Sequence, residues 1–290
     1  QDKENSDILW IGTQNGLNRL DKQSGAVTRF YADESNMHSL CGNRVEAVRG
    51  DANGRVWVGT RSGLSVYDSV AGTFERYIHD PDDNKSISDN TIRSLWLDSR
   101  GTMWVGTELG LNKYIAGTDE FFSYYQRSDN AYSLSGDAIR SIYEDRSGIL
   151  WVGTFVGGIN KCDPLIQRFT HYYHDNKDPG SLSHGSIYSI FEDSRQQVWI
   201  GTLRGGLNRK EPGSETFITY EHQPDNPYSI AENNIRAITE DKDGFIWIGT
   251  YATGSLQRLD PETGMFYTVE YKPAHYTKER SVNIRSLFID

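Results

Sequence analysis

Apolar and polar positions alternate along this 290-residue chain in runs of four to eight, and no stretch of ten holds a 3.6-residue period. "TIRSLWLD" (Thr91 to Asp98) reads as a strand. "SRG" follows and completes an Asp-x-x-Gly pattern, which recurs at Asp51–Gly54, Asp98–Gly101, Asp145–Gly148 and Asp241–Gly244. It predicts a tight hairpin: the Asp side chain bonds forward to backbone N–H groups, and Gly takes the positive-φ place. "MWVGT" is a second strand, and a turn ending at Gly110 reverses the chain. "LNKYI" and "EFFSYY" are the third and fourth strands, and a polar loop, "QRSDNAYSLSGDA", leads on. The chain is therefore expected to be all-β.

The same pattern is rewritten six times. Trp-(Ile/Val)-Gly-Thr occurs at Trp10, Trp57, Trp104, Trp151, Trp199 and Trp247, with spacings of 47, 47, 47, 48 and 48. Only Trp96 lies outside the tetrads. Four short antiparallel strands per repeat of this length describe a β-propeller blade. A small sheet cannot cover its own two faces, and a ring of sheets lets each face pack on a neighbour. The tetrad Trp is expected to wedge between blades, the Gly to admit the next backbone, and the Thr hydroxyl to tie off the strand end.

Residues 1–290 are read as one propeller domain of six four-stranded blades. The chain begins after an inner strand and ends with one, because "NIRSLFID" (Asn283 to Asp290) matches "TIRSLWLD". The simplest closure pairs this C-terminal strand with the strand carrying Trp10. The alternative is a fragment of a longer array with a seventh blade.

The net charge of −10 argues against nonspecific nucleic-acid binding, which needs a basic face. No apolar run approaches the ~18–20 residues of a membrane span. The first residues, "QDKENSD", are polar and carry no address, so the compartment is not legible there. Cys41 and Cys162 are 121 residues apart, without a CxxC or Cys/His zinc pattern, and read as free buried thiols.

Laid out in full, the repeat resembles the regulator-propeller repeat of bacterial two-component sensors. It is most similar to the extracytoplasmic sensor region of hybrid systems in glycan-degrading gut bacteria. The pieces that carry the resemblance are "SISDNTIRSLWLDSRGTMWVGTELGLNKY", "SLSGDAIRSIYEDRSGILWVGTFVGGINK" and "SIAENNIRAITEDKDGFIWIGT". The resemblance implies a periplasmic, oligosaccharide-recognising sensor domain of a membrane-bound histidine kinase. It also implies a homodimer, with a companion propeller and an immunoglobulin-like domain as neighbours. Seven blades are usual in that family, and six tetrads depart from it.

A propeller turns repeat positions into rings. The second residue of each inner-strand core reads Glu46, Arg93, Arg140, Tyr188, Arg236 and Arg285. Arginines gathered at one mouth suit carboxylate or sulfate, and hence a charged sugar. The competing reading is that they tie neighbouring blades together through carbonyls and Asp or Glu. The hairpin after each Gly-Thr gives a second ring: Gln14 and Asn15, Arg61 and Ser62, Glu108 and Leu109, Phe155 and Val156, Leu203 and Arg204, Tyr251 and Ala252. These vary within a constant frame, as binding loops do. Phe155 and Tyr251 could stack on a sugar while Arg61 and Arg204 supply polar contacts. Tolerated surface variability is the competing reading.

No cofactor and no metal is expected. Acidic loops such as "HDPDDNK" (His79 to Lys85) lack EF-hand spacing and read as solvated turns. A propeller lyase would need a catalytic His and a metal-binding carboxylate. The seven histidines fall mostly in the outer strands and loops of successive repeats, and no GxSxG or SxxK motif appears. Ligand sensing is the preferred function, ahead of a docking or dimerisation propeller and, last, a lyase or hydrolase.

Overall fold

The Asp-x-x-Gly segments form tight hairpins for the reason their residue types suggest. The computed structural model describes residues 7–165, 168–269, 284 and 287. In it, Oδ1 of Asp98 accepts the backbone N–H groups of Arg100 and Thr102 at 3.0 and 2.8 Å. Gly101 takes φ 81°, where a Cβ would cost about 1 kcal/mol. Gly54, Gly148 and Gly244 repeat this, whereas Gln196 holds the place at φ 63° in the Asp193 hairpin.

Among the described residues, twenty-three strands make six antiparallel sheets, each running in chain order. Five sheets have four strands and one has three. The chain divides into two compact units, Gln1–Glu144 and Asp145–Asp290. The first unit opens with β1 (Ile8–Thr13), β2 (Gly16–Asp21) and β3 (Val27–Phe30). Next come β4 (Val45–Gly50), β5 (Val56–Thr60), β6 (Gly63–Asp68) and β7 (Thr73–Tyr77). They are followed by β8 (Ile92–Leu97), β9 (Met103–Thr107), β10 (Gly110–Ile115), β11 (Glu120–Tyr124) and β12 (Ile139–Glu144). The second unit holds β13 (Leu150–Thr154), β14 (Ile159–Asp163) and β15 (Arg168–Tyr172). Then come β16 (Ile187–Glu192), β17 (Val198–Thr202), β18 (Leu207–Lys210) and β19 (Phe217–Tyr220). The last sheet is β20 (Ile235–Glu240), β21 (Ile246–Thr250), β22 (Leu256–Asp260) and β23 (Met265–Val269).

This is propeller-blade architecture. The leading strands stand side by side, β8 between β4 and β12 in the first unit and β16 beside β20 in the second. Trp57 of β5 is 1% exposed and packs into the next sheet against Ile92, Leu95, Met103 and Val105, with the Tyr114 ring edge-on at 4.8 Å. Trp199 does the same against Ile235, Ile246 and Leu259. Burying such a ring contributes roughly 4 kcal/mol.

Gly59 explains the third tetrad position. A Cβ there would lie 2.5 Å from Cγ2 of Ile92, the first residue of the next leading strand. Gly106 faces Ile139, and Gly201 faces Ile235, in the same way. Thr60 Oγ1 donates to the Gly63 carbonyl at 2.8 Å and accepts the Ser62 amide at 3.0 Å, so it does tie off the strand end.

The expected closing strand, Asn283 to Asp290, lies outside the described residues except for Ile284 and Leu287. Ile284 takes the place of a leading-strand Ile: it sits against Gly249, and its amide donates to the Thr250 carbonyl at 3.1 Å. Cys41 and Cys162 are free thiols, the second buried and the first partly so. Burial, with the Asp163 charge adding, pushes the Cys162 thiol up to about 12. No helix among the described residues is long and apolar enough to cross a membrane.

Candidate ligand-binding mouth

The ring position read from sequence is a β-bulge. Ile92 pairs with Thr107 and Ser94 with Gly106, so Arg93 is an extra residue in β8. The register slips identically around Glu46 in β4, Tyr188 in β16 and Arg236 in β20. A bulge kinks the strand and re-aims the extra side chain away from the ladder. Arg140 follows Ile139 at the start of β12. Arg285 lies outside the described residues.

In the first unit the structure joins three of the predicted arginines through two carboxylates. Oε1 of Glu46 accepts Nε of Arg44 at 2.9 Å, Nε of Arg61 at 2.8 Å and Nη1 of Arg93 at 3.4 Å. Oε1 of Glu108 accepts Nε of Arg93 at 2.7 Å and Nη1 of Arg140 at 2.9 Å, and Nη2 of Arg93 also bonds it. The side chains of Arg93 and Arg140 are 17% and 13% exposed, while Arg44 and Arg61 reach further into solvent. Burial would raise the Glu46 carboxyl, but the hydrogen bonds and charges of Arg61 and Arg44 outweigh it and hold it below its ordinary value. Glu108 is held down against burial in the same way by Arg93 and Arg140. Both are therefore charged at neutral pH. The tie between neighbouring sheets is present.

The second unit is aromatic at the same position. The Arg236 guanidinium lies 3.4 Å from the Tyr188 ring centroid and 4.4 Å from that of Tyr251. A cation held between two aromatic faces is stabilised by about 1 kcal/mol or more. Glu232 braces the Tyr251 hairpin: its carboxylate accepts the amides of Tyr251, Ala252 and Thr253 at 2.7–2.8 Å. The Phe155 carbonyl accepts the Ser186 hydroxyl. Arg204 is exposed, and its charge reaches His184. Burial lowers the His184 pKa, with His174 and Arg204 adding. Its Nδ1 accepts the Ser186 amide at 3.0 Å, which leaves the proton on Nε2.

Arg44 and Glu232 escaped the sequence reading, and Glu46 and Glu108 were placed in the rings without their bridging role. One signal was available. Arg61 and Glu108 fill the same hairpin position with opposite charges, 47 residues apart.

The histidines have a local task. Nδ1 of His79, His174 and His222 lies 2.8, 2.6 and 2.7 Å from the carbonyls of Ile87, Leu182 and Ile230, which are the buried plugs of the Ser-Leu-Ser loops. The "HDPDDNK" loop closes on itself: Asp80 accepts the Asp82 amide and Asp83 the Lys85 amide. Among the described residues no group of three or more His, Cys, Asp or Glu side chains could hold a metal.

The two-component regulator propeller family matches residues 39–62, 133–155, 181–204 and 229–252. The chain carries two-component regulator propeller repeats. Each matched segment runs from the Ser-Leu-Ser loop through the ring position to the variable hairpin, so the matched unit and the candidate mouth coincide. Among solved structures, the extracellular domain of the hybrid two-component system BT4673 from B. thetaiotaomicron is 25% identical, with a TM-score of 0.57. The match covers 90% of this chain and 40% of that one, so this chain spans less than half of that protein. PorZ, a surface component of the type-IX secretion system of Porphyromonas gingivalis, is 16% identical over 90% of this chain and 40% of its own, with a TM-score of 0.64. Virginiamycin B lyase from Staphylococcus aureus is 14% identical over 79% of this chain and 71% of its own, with a TM-score of 0.59. These last two share the fold alone. No curated protein matches the chain.

Proposed function

We propose that this chain is the ligand-recognising propeller of a hybrid two-component sensor, placed outside the cytoplasm, and that its ligand is an oligosaccharide. The 25% identity to the extracellular domain of such a system across 90% of the chain supports this most directly. The mouth residues agree with it. The frame repeats, whereas Arg61, Glu108, Phe155 and Tyr251 differ at one hairpin position, as residues of a binding face do. Guanidiniums suit sugar hydroxyls, and tyrosine faces suit the C–H face of a pyranose.

In this reading the parent protein is a histidine kinase of the inner membrane and the propeller sits on its periplasmic side. The propeller works beside a companion propeller and an immunoglobulin-like domain within a homodimer. The ligand stabilises one arrangement of rigid bodies over another, and the membrane segments receive that change. The propeller itself is non-catalytic.

Thermal unfolding of the chain across a panel of oligosaccharides, with product analysis in the same wells, tests the proposal. A ligand at a hundred times its Kd stabilises the native state by about 2.7 kcal/mol. A clear rise in Tm with one class of sugar and no product is expected. Product formation would favour catalysis. No shift across the panel, with self-association of the chain, would favour a docking module.

A further inference from the structure

The hairpin after each tetrad is closed in the same way in all six repeats: the tetrad Thr hydroxyl donates to the carbonyl at its far end, at 2.8–3.3 Å. The lengths differ. Two residues lie between Thr13 and Gly16, between Thr60 and Gly63, and between Thr107 and Gly110. Three lie between Thr154 and Gly158 and between Thr202 and Gly206. Four, Tyr251 to Gly254, lie between Thr250 and Ser255. In repeat proteins an insertion confined to single repeats maps to loops on one face, often the face that binds.

The longest hairpin is also built to hold still. Oε1 of Glu232 accepts the amides of Tyr251 and Ala252, and Oε2 accepts that of Thr253. Three successive amides around one carboxylate form an anion nest, filled here from within the chain. The Thr253 hydroxyl lies 3.0 Å from that of Thr250 and 2.8 Å from that of Ser255. The loop carrying Glu232 is tied down in turn, because Gln257, 1% exposed, accepts the Ala231 amide at 2.7 Å. The fold does not demand this carboxylate: the same place after the Ser-Leu-Ser segment holds Gly42, Asp89, Gly136 and His184 in the other repeats. The side chain is fixed as well. The Arg236 guanidinium lies against the rings of both Tyr188 and Tyr251, while Tyr251 keeps part of its surface exposed. Chance lengthening of a surface loop would not bring its own brace.

We infer that Tyr251 is the platform on which one pyranose ring of the ligand stacks, and that Glu232 is the positioning residue that sets this platform. This rests on the sensor reading above and assigns the sugar ring to a subsite in the second unit. The C–H groups on one side of a pyranose meet the negative face of the phenol ring, and the phenol hydroxyl is not needed for that contact. A loop already held by three hydrogen bonds loses little freedom when the sugar arrives, whereas an unbraced loop of four residues would have to be ordered at the expense of affinity.

The test is calorimetric titration of the 290-residue chain with tetramers of glucose, galactose, mannose and galacturonate, well below the Tm of every variant used. At least one tetramer should bind. Tyr251→Ala should weaken it at least about tenfold, and Tyr251→Phe should bind as the parent does. If Tyr251→Ala does not fold, Tyr251→Leu decides: it keeps apolar bulk without an aromatic face, and binding should still fall severalfold. Glu232→Ala should weaken binding severalfold, and Glu232→Gln, whose carbonyl oxygen can still accept the Tyr251 and Ala252 amides, should restore most of it. Tyr267→Ala, at an exposed tyrosine of β23, should change nothing. A lower Tm with unchanged affinity in Glu232→Ala would make Glu232 merely structural and overturn its positioning role. Binding that is indifferent to Tyr251→Ala, or to Tyr251→Leu, overturns the platform and leaves the sensor reading standing. Binding of none of the four tetramers overturns both.

Discussion

The indole N–H of Trp57 donates to Oδ2 of Asp51, 2.9 Å away and six residues earlier in the chain. Trp104 and Asp98, Trp151 and Asp145, Trp199 and Asp193, and Trp247 and Asp241 repeat the bond at 2.7–2.9 Å. The other oxygen of each Asp closes the hairpin, as Oδ1 of Asp98 does on Arg100 and Thr102. One carboxylate thus fixes both the turn and the inter-sheet wedge.

Asp98→Ala should therefore cost more than an ordinary turn residue. It leaves the indole N–H of Trp104, a residue only 2% exposed, without its acceptor and frees two backbone amides. A loss of about 3 kcal/mol is expected. Urea unfolding followed by tryptophan fluorescence measures it. A loss below about 0.5 kcal/mol, the range of ordinary surface substitutions, would show that the bond carries little.

Acid should destabilise the protein through two of these groups, Asp51 and Asp241. Burial would raise the Asp51 carboxyl, but hydrogen bonds from Trp57 and Arg55 and from backbone amides outweigh it and set its pKa below the ordinary 3.8. Asp241 is depressed likewise, against burial, by Trp247 and the amides of Phe245 and Asp243. A carboxyl depressed in the folded state stabilises it fully above the unfolded pKa, and that contribution fades as the pH falls through the lower folded value. Tm should be nearly flat from about pH 7 to 5 and fall steeply below about pH 4. Asp51→Asn, already neutral, should start lower and fall less. An equal fall in variant and parent would assign the acid transition to other groups.

The scaffold was legible in the sequence because its residues act through type and spacing. Asp-x-x-Gly needs a carboxylate and a positive φ, Trp-x-Gly-Thr needs bulk beside a gap, and both recur in register. Even the Asp–Trp bond could have been read from their constant six-residue separation. The bulge could not. A one-residue slip in the ladder accepts Glu46, Arg93, Tyr188 or Arg236 alike, so no residue type announces it. The brace of Glu232 on residues 251–253 was invisible for a related reason: three backbone amides converge only once the chain has folded.

The far ends of the leading strands carry another tie that no motif announced. Glu144 accepts the amide and hydroxyl of Ser99 at 2.6 and 2.8 Å. Glu240 accepts those of Ser194 at 2.7 and 2.6 Å. In each pair a carboxylate at the end of one leading strand caps the Asp turn of the preceding repeat. Glu240→Gln should keep part of this clasp, and Glu240→Ala should lose it for about 1 kcal/mol, because the serine is exposed and water replaces the bonds. The equilibrium urea midpoints of the two variants give the comparison. Equal stability of Ala and Gln variants would mean that the clasp is ornamental.

The absent side chain of Gly59 is a tight constraint on the fold. Its φ is not in the left-handed region, so backbone conformation does not call for glycine there. Space does: a Cβ would stand 2.5 Å from Cγ2 and 3.0 Å from Cβ of Ile92, which is fully buried and begins the next leading strand. Neither atom is the far end of a flexible chain, so Gly59→Ala must push the β8 backbone away from β5. Overpacking of this kind costs about 1–3 kcal/mol. The displacement falls one residue from Arg93, which makes the substitution a probe of the mouth as well as of the core. The expected result is a lower Tm together with weaker binding of whichever oligosaccharide stabilises the parent chain. Gly72→Ala, in an open turn with nothing within 4 Å of the added carbon, is the control: its φ of 69° costs stability without moving β8, so binding should be kept. Loss of binding in both variants to the same degree would separate the mouth from this packing contact and trace the effect to global destabilisation.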